Sequence, residues 1–354
     1  MTDIISNPEI ITPDWLTEIL RASGSLPEGR VTDAQWQIIG TGKMGDNARY
    51  TLSYDGDYHA PASVIAKLPA ADETARSMAG AMGAYRKEVM FYRELAPLTS
   101  MQTPQIYCAE VSADGTEFII LMEDLAPAEP GNQLVGESQA RAELAVIEAA
   151  KLHAPFYAKP ELLAGDYVTK SDKEGAELGQ SLMQQYWSGF VDRFGHGIAP
   201  ECIALGDTFA ANYAQWAQRY NGPKTLIHGD YRSENILFGE RGTAVTVDWQ
   251  TVQQSCALAD VAYFLGGSIA IDLRRACEHE LVEKYRAALQ TLGIDLAEED
   301  CWRQYREFSL HGVMITVLGA MFTAPEERSD QMFLAMAQRH LQQCVDMNAG
   351  EFIA

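Results

Sequence analysis

The stretch LIHGDYRSENILF, at residues 226–238, decides how this chain is interpreted. Apolar residues flank a dense polar segment that contains Asp230 and Asn235. A second apolar run, VTVDWQ at residues 245–250, places Asp248 after strand-like residues in the same way. Polar groups at the edge of a core are costly unless they are paired or bind a ligand. The pattern therefore indicates either a structural hydrogen-bond network or a site that holds a metal and performs chemistry.

The composition is that of a globular protein, with 354 residues, of which 47% are hydrophobic and 21% are charged. The net charge of −22 argues against a nucleic-acid partner, because phosphate binding needs clustered Lys and Arg. None of the six cysteines forms a CxxC pair, so zinc-ribbon spacing is missing. The first residues, MTDIISNPEI, lack the features of a secretory signal, and the longest apolar stretch is too short to span a bilayer. We therefore expect a cytoplasmic protein without a membrane partner.

The hydrophobic pattern divides the chain into a strand-rich part and a helix-rich part. After an N-terminal helix, residues 31–125 predict a small antiparallel sheet of five strands, with one helix at residues 84–95. Most of the remainder predicts helices. The turn-rich segment 127–133 separates the two parts, so we predict domains at residues 1–126 and 127–354. A ligand commonly binds in a cleft between domains.

A glycine-rich run, GTGKMG, lies between the first two predicted strands. Gly40, Gly42 and Gly45 give the spacing GxGxxG, but no helix follows, which disfavours a dinucleotide-binding loop. The context fits a hairpin whose backbone N–H groups approach phosphates. A plain hairpin turn fits the run alone equally well.

Lys67 lies in a predicted strand, SVIAKLP, and Glu88 lies in the helix that is predicted next. Such residues can form an ion pair that orients the ammonium toward phosphate oxygens. Each residue alone is more often a surface charge. Because the pair follows a glycine-rich hairpin, we favour the functional interpretation.

The polar residues of the stretches 226–238 and 245–250 suggest metal ligands, a base and a support for the loop. Oxygen ligands such as Asn235 and Asp248 suit Mg²⁺, which takes few protein ligands besides phosphate oxygens and waters. Asp230 then remains free to accept the proton of an attacking hydroxyl. His228 suits magnesium poorly, so we interpret it as a hydrogen-bonding support for the loop. A loop tied by its own backbone explains any one of these residues, but not all of them together.

Taken in order, these motifs resemble the aminoglycoside phosphotransferase and choline kinase superfamily, whose members are related to protein kinases. The order is GxGxxG, AK, a helical Glu, MEDL, HGDxxxxN and DWQ. YRKEVMFYRELAP, KLHAPF and ADVAYFLGGS are similar to the ecdysteroid-kinase-like branch. The resemblance covers about residues 31–290. It implies an α+β, two-lobed protein-kinase-like fold, with a small antiparallel-sheet N-lobe and a larger helical C-lobe.

The resemblance also implies ATP and Mg²⁺ as cofactors. Lys67 contacts the α- and β-phosphates, and Glu88 pairs with it. A hinge binds the adenine through its backbone and consists of Met122, Glu123, Asp124 and Leu125.

In the helix-rich part, the resemblance makes Asp230 the catalytic base and assigns Mg²⁺ to Asn235 and Asp248. Asp260, in ADVAYF, braces the catalytic loop. The implied reaction transfers the γ-phosphoryl group of ATP to a hydroxyl. The chain has HGD where protein kinases have HRD and DWQ where they have DFG, and no APE-like segment follows. These departures favour a small-molecule hydroxyl acceptor over a protein.

The sequence leaves the acceptor and the oligomeric state open. Two rows of aromatic residues could line a pocket for a sterol-like alcohol, although such rows more often lie in a core. They are Tyr186, Trp187, Phe190 and Phe194, and Trp302, Tyr305 and Phe308. An acidic pocket would instead suit an aminoglycoside or choline.

Two other functions remain to be weighed. One is a catalytically inactive, nucleotide-binding regulatory module of the same fold. Its usual mark is the loss of one of the four residues Lys67, Asp230, Asn235 and Asp248, and all four are present. The other is a metal-dependent hydrolase, which would need further His or carboxylate ligands near the motifs.

Overall fold

The computed structural model describes residues 4–40, 44–170, 172–240 and 242–353. The chain packs as two compact units. The first unit comprises Met1–Leu98, Thr103–Pro127 and Val247–Thr251. The second unit comprises Thr99–Gln102, Ala128–Thr246 and Val252–Ala354.

The first unit is built on a five-stranded antiparallel sheet. Its strands are β1 (Val31–Ile39), β2 (Gly45–Tyr54), β3 (Ser63–Pro69), β4 (Ile106–Val111) and β5 (Phe118–Glu123). Their order in the sheet is β1-β2-β3-β5-β4, and every neighbouring pair is antiparallel. The central strand β3 is buried along nearly its whole length. The small antiparallel sheet that the sequence predicts is confirmed.

In the described part of the first unit, three α-helices accompany this sheet. Helix α1 (Pro13–Ala22) begins at Thr12, whose hydroxyl accepts a hydrogen bond from the backbone N–H of Trp15 at 3.2 Å. Helix α3 (Ala84–Met90) continues into a π-helical turn, Phe91–Leu95. Together they cover the helix that is predicted at residues 84–95. The short helix α2 (Glu73–Ala81) was not predicted, because its sequence is rich in small and polar residues and only Ala79 is buried.

The second unit holds two small sheets and seven helices among the described residues. One sheet has the order β10-β9-β6, and its strands are β6 (Glu129–Pro130), β9 (Ile236–Gly239) and β10 (Thr243–Thr246). The other has the order β7-β11-β8, and its strands are β7 (Thr169–Lys170), β8 (Thr225–Ile227) and β11 (Gln253–Ser255). The helices are α4 (Gln139–His153), α5 (Lys173–Phe194), α6 (Pro200–Arg219), α7 (Leu258–Ser268), α8 (Ile271–Thr291), α9 (Glu298–Phe322) and α10 (Glu327–Asp346). None of the described helices combines the length and the apolarity that crossing a membrane requires.

Helix α7 is the centre of this unit, and each of its residues is buried. Its sequence, LADVAYFLGGS, is apolar around the whole helix, which is the pattern of a helix without a solvent face. It packs against α4, α9 and α10. A polar side chain on such a helix must therefore find its hydrogen-bond partner inside the protein.

The two aromatic rows lie mostly in the core of the second unit. Five of the seven side chains are buried, namely Trp187, Phe190, Phe194, Tyr305 and Phe308. Tyr186 and Trp302 are partly exposed, and each packs against a neighbouring ring, Phe322 and Tyr305 respectively. Most of these residues therefore pack the helices together.

A buried arginine joins α8 to α10. The Arg274 side chain is fully buried and donates to both carboxylate oxygens of Glu278, at 2.8 and 2.7 Å, and also to Asp346. Its neighbour Arg275 binds the same Asp346 carboxylate at 2.8 Å, but 47% of the Arg275 side chain is exposed. The two arginines thus share a partner and differ in burial.

This difference gives a stability prediction for the second unit. Arg274→Met keeps most of the side-chain volume but leaves Glu278 buried without its cation. We expect the free energy of unfolding to fall by about 3–5 kcal/mol. The matched change Arg275→Met removes a solvent-exposed pair and should cost at most about 1 kcal/mol. Urea denaturation of both variants measures the difference, and equal losses would contradict the prediction.

Candidate active site

Strand β3 carries Lys67 on the face of the sheet opposite α1. Val64, Ala66 and Leu68 belong to the core that α1 covers. Because side chains alternate along a strand, Lys67 points to the other face. Lys67 is nevertheless buried, with 7% of its surface exposed. A buried ammonium needs nearby anions.

Two carboxylates supply that charge. The Lys67 Nζ atom lies 2.8 Å from Oε1 and 2.7 Å from Oε2 of Glu88, which is fully buried on α3. It also lies 2.9 Å from Oδ1 of Asp248. The structure thus brings together three of the residues that the sequence singled out.

Burial alone would lower the pKa of Lys67, but the charges of Asp248 and Glu88 outweigh it and raise this pKa above its usual value. Lys67 is therefore an ammonium. Burial also raises the pKa of Glu88 despite the opposing effect of Lys67, and Asp248 adds to the rise. Asp248 presents carboxylate oxygens beside Lys67. Oxygen atoms are the ligands that Mg²⁺ prefers, so this side chain fits a divalent metal.

The backbone at Asp248 is unusual. Its φ is +68°, in the left-handed region that Asp and Asn tolerate better than other non-glycine residues. The next residue, Trp249, is fully buried and stacks on Phe91 with ring centroids 3.6 Å apart. The backbone N–H of Trp249 also donates to Glu88 at 3.4 Å. Packing of Trp249 therefore holds the backbone that presents Asp248 to Lys67.

The predicted glycine-rich hairpin is described only in part, because Gly42 lies outside the described residues. Gly40 has a φ of +72°, which favours glycine. At Gly45 a Cβ atom would come within 2.9 Å of the Leu68 carbonyl oxygen. Side chains larger than hydrogen are therefore excluded where β2 meets β3.

The predicted hinge follows the end of β5, which includes Met122 and Glu123. The Asp124 carboxylate accepts hydrogen bonds from Ser63 at 2.7 Å and from Arg49 at 3.1 Å. Burial would raise the pKa of Asp124, but these hydrogen bonds lower it. The side chain of Asp124 thus ties the segment to β2 and β3. For Leu125, the structure gives no contact that bears on its predicted role.

The segment 228–235, which the sequence predicts to be the catalytic-loop segment, runs from β8 to β9 in the second unit. Asp230 has a carboxylate that is 24% exposed and is held by three donors. The Tyr263 hydroxyl donates to Oδ1 at 2.8 Å, and the side chains of Asn235 and Arg232 donate to Oδ2 at 3.0 and 3.3 Å. The side chain of Asp230 is therefore fixed in one orientation while part of it remains open to a ligand.

Asn235 is predicted to bind metal, and its amide is oriented by the loop itself. Its Nδ2 atom donates to the backbone oxygen of Asp230 at 2.9 Å and to the carboxylate at 3.0 Å. Both hydrogen bonds use the nitrogen, so Oδ1 is the atom of this amide that can serve as a metal ligand.

Asp260 holds the backbone of the same loop. Its carboxylate is fully buried on α7 and accepts the N–H of His228 at 2.7 Å and that of Gly229 at 3.0 Å. It also contacts Nε2 of His153 at 3.2 Å. Burial would raise the pKa of Asp260, but His153 and His228 lower it below its usual value.

His228 is also buried, and its Nδ1 atom accepts the backbone N–H of Asp230 at 3.2 Å. The ring therefore lies inside the loop, where it ties the backbone of residue 230. This is the position of a support for the loop.

Sequence reasoning assigned no role to three residues of this network, namely His153, Arg232 and Tyr263. His153 ends α4 and bridges Asp260 to the Tyr285 hydroxyl, which lies 2.8 Å from Nδ1. Tyr263 follows Asp260 by one turn of α7. The available signal was this spacing in ADVAYF, which puts both side chains on one face of the helix.

The Tyr263 ring is enclosed by two histidines. It stacks on His340 with centroids 5.1 Å apart and meets the edge of His311 at 5.9 Å. Burial, together with neighbouring His311 and Arg339, lowers the pKa of His340 to about 3. His340 is therefore neutral at physiological pH.

Among the described residues, no group of three or more His, Cys, Asp or Glu side chains is placed to hold a metal ion. The predicted magnesium ligands are only two side chains, Asp248 and Asn235. Mg²⁺ often takes so few protein ligands, because phosphate oxygens and water complete its coordination.

Comparison with known proteins places these motifs in a family. Residues 46–297 match the model of the ecdysteroid kinase-like family. This match covers most of the chain and includes Lys67, Glu88, Asp230 and Asp248. No curated protein sequence matches the chain.

Solved structures of phosphotransferases share the fold. A candidate aminoglycoside phosphotransferase from Ralstonia eutropha JMP134 is 14% identical, with 93% of this chain and 98% of that chain covered and a TM-score of 0.52. The aminoglycoside phosphotransferase APH(2'')-IIIa, in complex with GDP and kanamycin, is 15% identical, with coverages of 94% and 99% and a TM-score of 0.53. ADP-bound APH(2'')-Ib is 12% identical, with coverages of 88% and 94% and a TM-score of 0.50. Likeness at such identities concerns the fold alone, and it confirms the predicted protein-kinase-like fold.

The low pKa of His340 predicts acid sensitivity. The unfolded chain binds a proton at this residue below about pH 6.5, whereas the folded protein does so only near pH 3. Stability is therefore lost as the pH falls through 6.5. Between pH 7 and pH 5, His340 should account for a loss of about 2 kcal/mol.

The measurement compares urea denaturation at pH 7 and pH 5 for wild type, His340→Gln and His279→Gln. His279 is an exposed histidine and serves as the control. Only His340→Gln should lose less stability than wild type between the two pH values. The same acid-induced loss in all three proteins would contradict the prediction.

Proposed function

Because the chain belongs to the ecdysteroid kinase-like family, we propose that it transfers the γ-phosphoryl group of ATP to a hydroxyl group of a small molecule. The observation that carries the proposal is the buried Lys67 ammonium between Glu88 and Asp248. A structural ion pair would satisfy Lys67 with one carboxylate. A second carboxylate on a strained backbone is typical of a functional site.

In this proposal the first unit binds the nucleotide. Lys67 contacts the α- and β-phosphates, and Glu88 orients it. The glycine-rich hairpin of Gly40, Gly42 and Gly45 lies over the phosphates. The backbone of residues 122–125 binds the adenine.

Asp248 and Asn235 are the proposed ligands of Mg²⁺. Both offer oxygen atoms, which this metal prefers. When bound, Mg²⁺ neutralises charge that develops on the transferred phosphoryl group and on the leaving phosphates.

Asp230 is the proposed base. It takes the proton of the acceptor hydroxyl while the acceptor oxygen forms a bond to the γ-phosphorus. The bond between this phosphorus and the β,γ-bridging oxygen breaks, and ADP leaves. Most of the rate enhancement then comes from positioning and electrostatics. The bracing of the loop by Asp260 supports this role, since it fixes the backbone directly before the base.

A small molecule is the proposed acceptor. The related structures named above include a complex with kanamycin, a small molecule that carries hydroxyl groups. They also include both ADP and GDP complexes, so ATP and GTP both belong in the first assays.

Substitution of Asp230 tests its role as the base. Asp230→Asn keeps the shape of the side chain but cannot accept the proton, so turnover should fall about 10²- to 10⁴-fold. Nucleotide affinity should stay within about twofold of wild type, because the change leaves the phosphate-binding residues intact. ADP production with a panel of hydroxyl-bearing compounds, and without any acceptor, measures turnover. Asp192→Asn, on the exposed face of α5, is the control.

Turnover of Asp230→Asn within tenfold of wild type would contradict the assignment of the base. If wild type binds MgATP but yields no ADP with any compound, the inactive nucleotide-binding module becomes the better description. If phosphate is released at the same rate with and without acceptors, the hydrolase is favoured.

Substitution of Asp248 tests its role as a metal ligand. At a concentration 100-fold above Kd, MgATP should stabilise wild type by about 2.7 kcal/mol, because it binds only the native state. Asp248→Asn, which tolerates the left-handed backbone, should bind MgATP at least tenfold more weakly and gain at most about 1.4 kcal/mol. Thermal shifts with ATP, Mg²⁺ and both together give the comparison. Equal shifts for wild type and variant would exclude Asp248 as a ligand.

A further inference from the structure

Helix α7 holds the catalytic-loop segment at two points. Asp260 accepts the backbone N–H groups of residues 228 and 229 at 2.7 and 3.0 Å. One turn later, the hydroxyl of Tyr263 donates to Oδ1 of Asp230 at 2.8 Å. The same helix thus fixes both the backbone of the loop and the side chain of its aspartate.

We propose that Tyr263 is a positioning residue for Asp230. Its hydrogen bond determines which lone pair of the Asp230 carboxylate receives the proton of the acceptor hydroxyl. The proposal rests on the proposed function, in which Asp230 is the base. It assigns to the Tyr263 hydroxyl a role in the transfer step that the family motifs alone do not give.

The hydrogen bonds of the carboxylate carry this inference. An ionised carboxylate offers about four lone-pair sites, two on each oxygen. On Oδ2, Asn235 donates at 3.0 Å and Arg232 at 3.3 Å, which occupies both sites. On Oδ1, Tyr263 is the donor found among the described residues. The second lone pair of Oδ1 is therefore the one left for the acceptor hydroxyl.

The surroundings of Tyr263 make its hydroxyl a fixed donor. The residue is 1% exposed, and its ring is packed between His340 and His311. Burial and the nearby charge of Asp230 raise the pKa of Tyr263 well above its usual value. The phenol therefore keeps its proton and does not compete with Asp230 for the proton of the acceptor.

The transfer step then has a defined path for the proton. The acceptor O–H donates to Oδ1 of Asp230 and its proton moves there. The electron pair of that O–H bond forms the new bond from oxygen to the γ-phosphorus, and ADP leaves with the bridging oxygen. Loss of the Tyr263 hydroxyl would let the carboxylate turn, which misaligns this lone pair without removing the base.

The test uses Tyr263→Phe, which keeps the ring and removes the hydroxyl. Tyr305→Phe is the matched control, since Tyr305 is equally buried in the second unit and donates to Glu278 at 2.9 Å. With MgATP and the best acceptor of the panel, or water if none reacts faster, kcat of Tyr263→Phe should fall about 10- to 100-fold. KM for ATP should stay within about twofold of wild type. Tyr305→Phe should lower the Tm but leave kcat within about twofold of wild type.

A Tyr263→Phe variant with the kcat of wild type, or one with a loss no greater than that of Tyr305→Phe, would overturn the proposal. If wild type produces no ADP at all, the proposed function fails, and crystal structures of wild type and Tyr263→Phe decide the positioning role separately. A carboxylate of Asp230 that turns while the backbone of residues 228–230 stays in place would support it. A carboxylate that keeps its orientation would refute it.

Discussion

The buried ammonium of Lys67 is the constraint on which the first unit depends. A lysine in the central strand of a sheet is tolerated only if anions surround it. Glu88 has to come from α3 and Asp248 from a separate segment of the chain, which fixes where both elements lie against the sheet. The left-handed backbone at Asp248 and the stacking of Trp249 on Phe91 hold Asp248 in this position. The ion cluster therefore organises the fold as well as the candidate site.

In the second unit, helix α7 also buries polar side chains that need partners. This helix has no solvent face, so its polar side chains need internal partners. Asp260 finds them in two backbone N–H groups and His153, and Tyr263 finds one in Asp230. Satisfying the hydrogen bonds of a buried helix thereby also shapes the loop that carries the proposed base.

Much of this arrangement could be predicted from the sequence. The five strands, the long helices and the ion pair of Lys67 with Glu88 followed from hydrophobic periodicity and from motif order. The spacing in ADVAYF puts Asp260 and Tyr263 on one face of α7, but the partners of Tyr263 and His153 could not be predicted, because they depend on how α4 and α7 pack against the loop. Helix α2 was missed because it buries a single small residue and so leaves little periodic signal. The sequence also gave no sign that Arg274 is buried, since a lone arginine in a helix is usually exposed.

The bracing by Asp260 has a consequence for the motions of the loop. Loop amides usually exchange their hydrogens with solvent quickly, because local opening there costs little free energy. The amides of residues 228 and 229 instead donate to the carboxylate of Asp260, which belongs to fully buried α7. We therefore expect their exchange to require an opening that separates the loop from α7. The segment that presents the proposed base should thus be among the most protected backbone in the protein, and its exchange rate reports on the stability of the whole second unit.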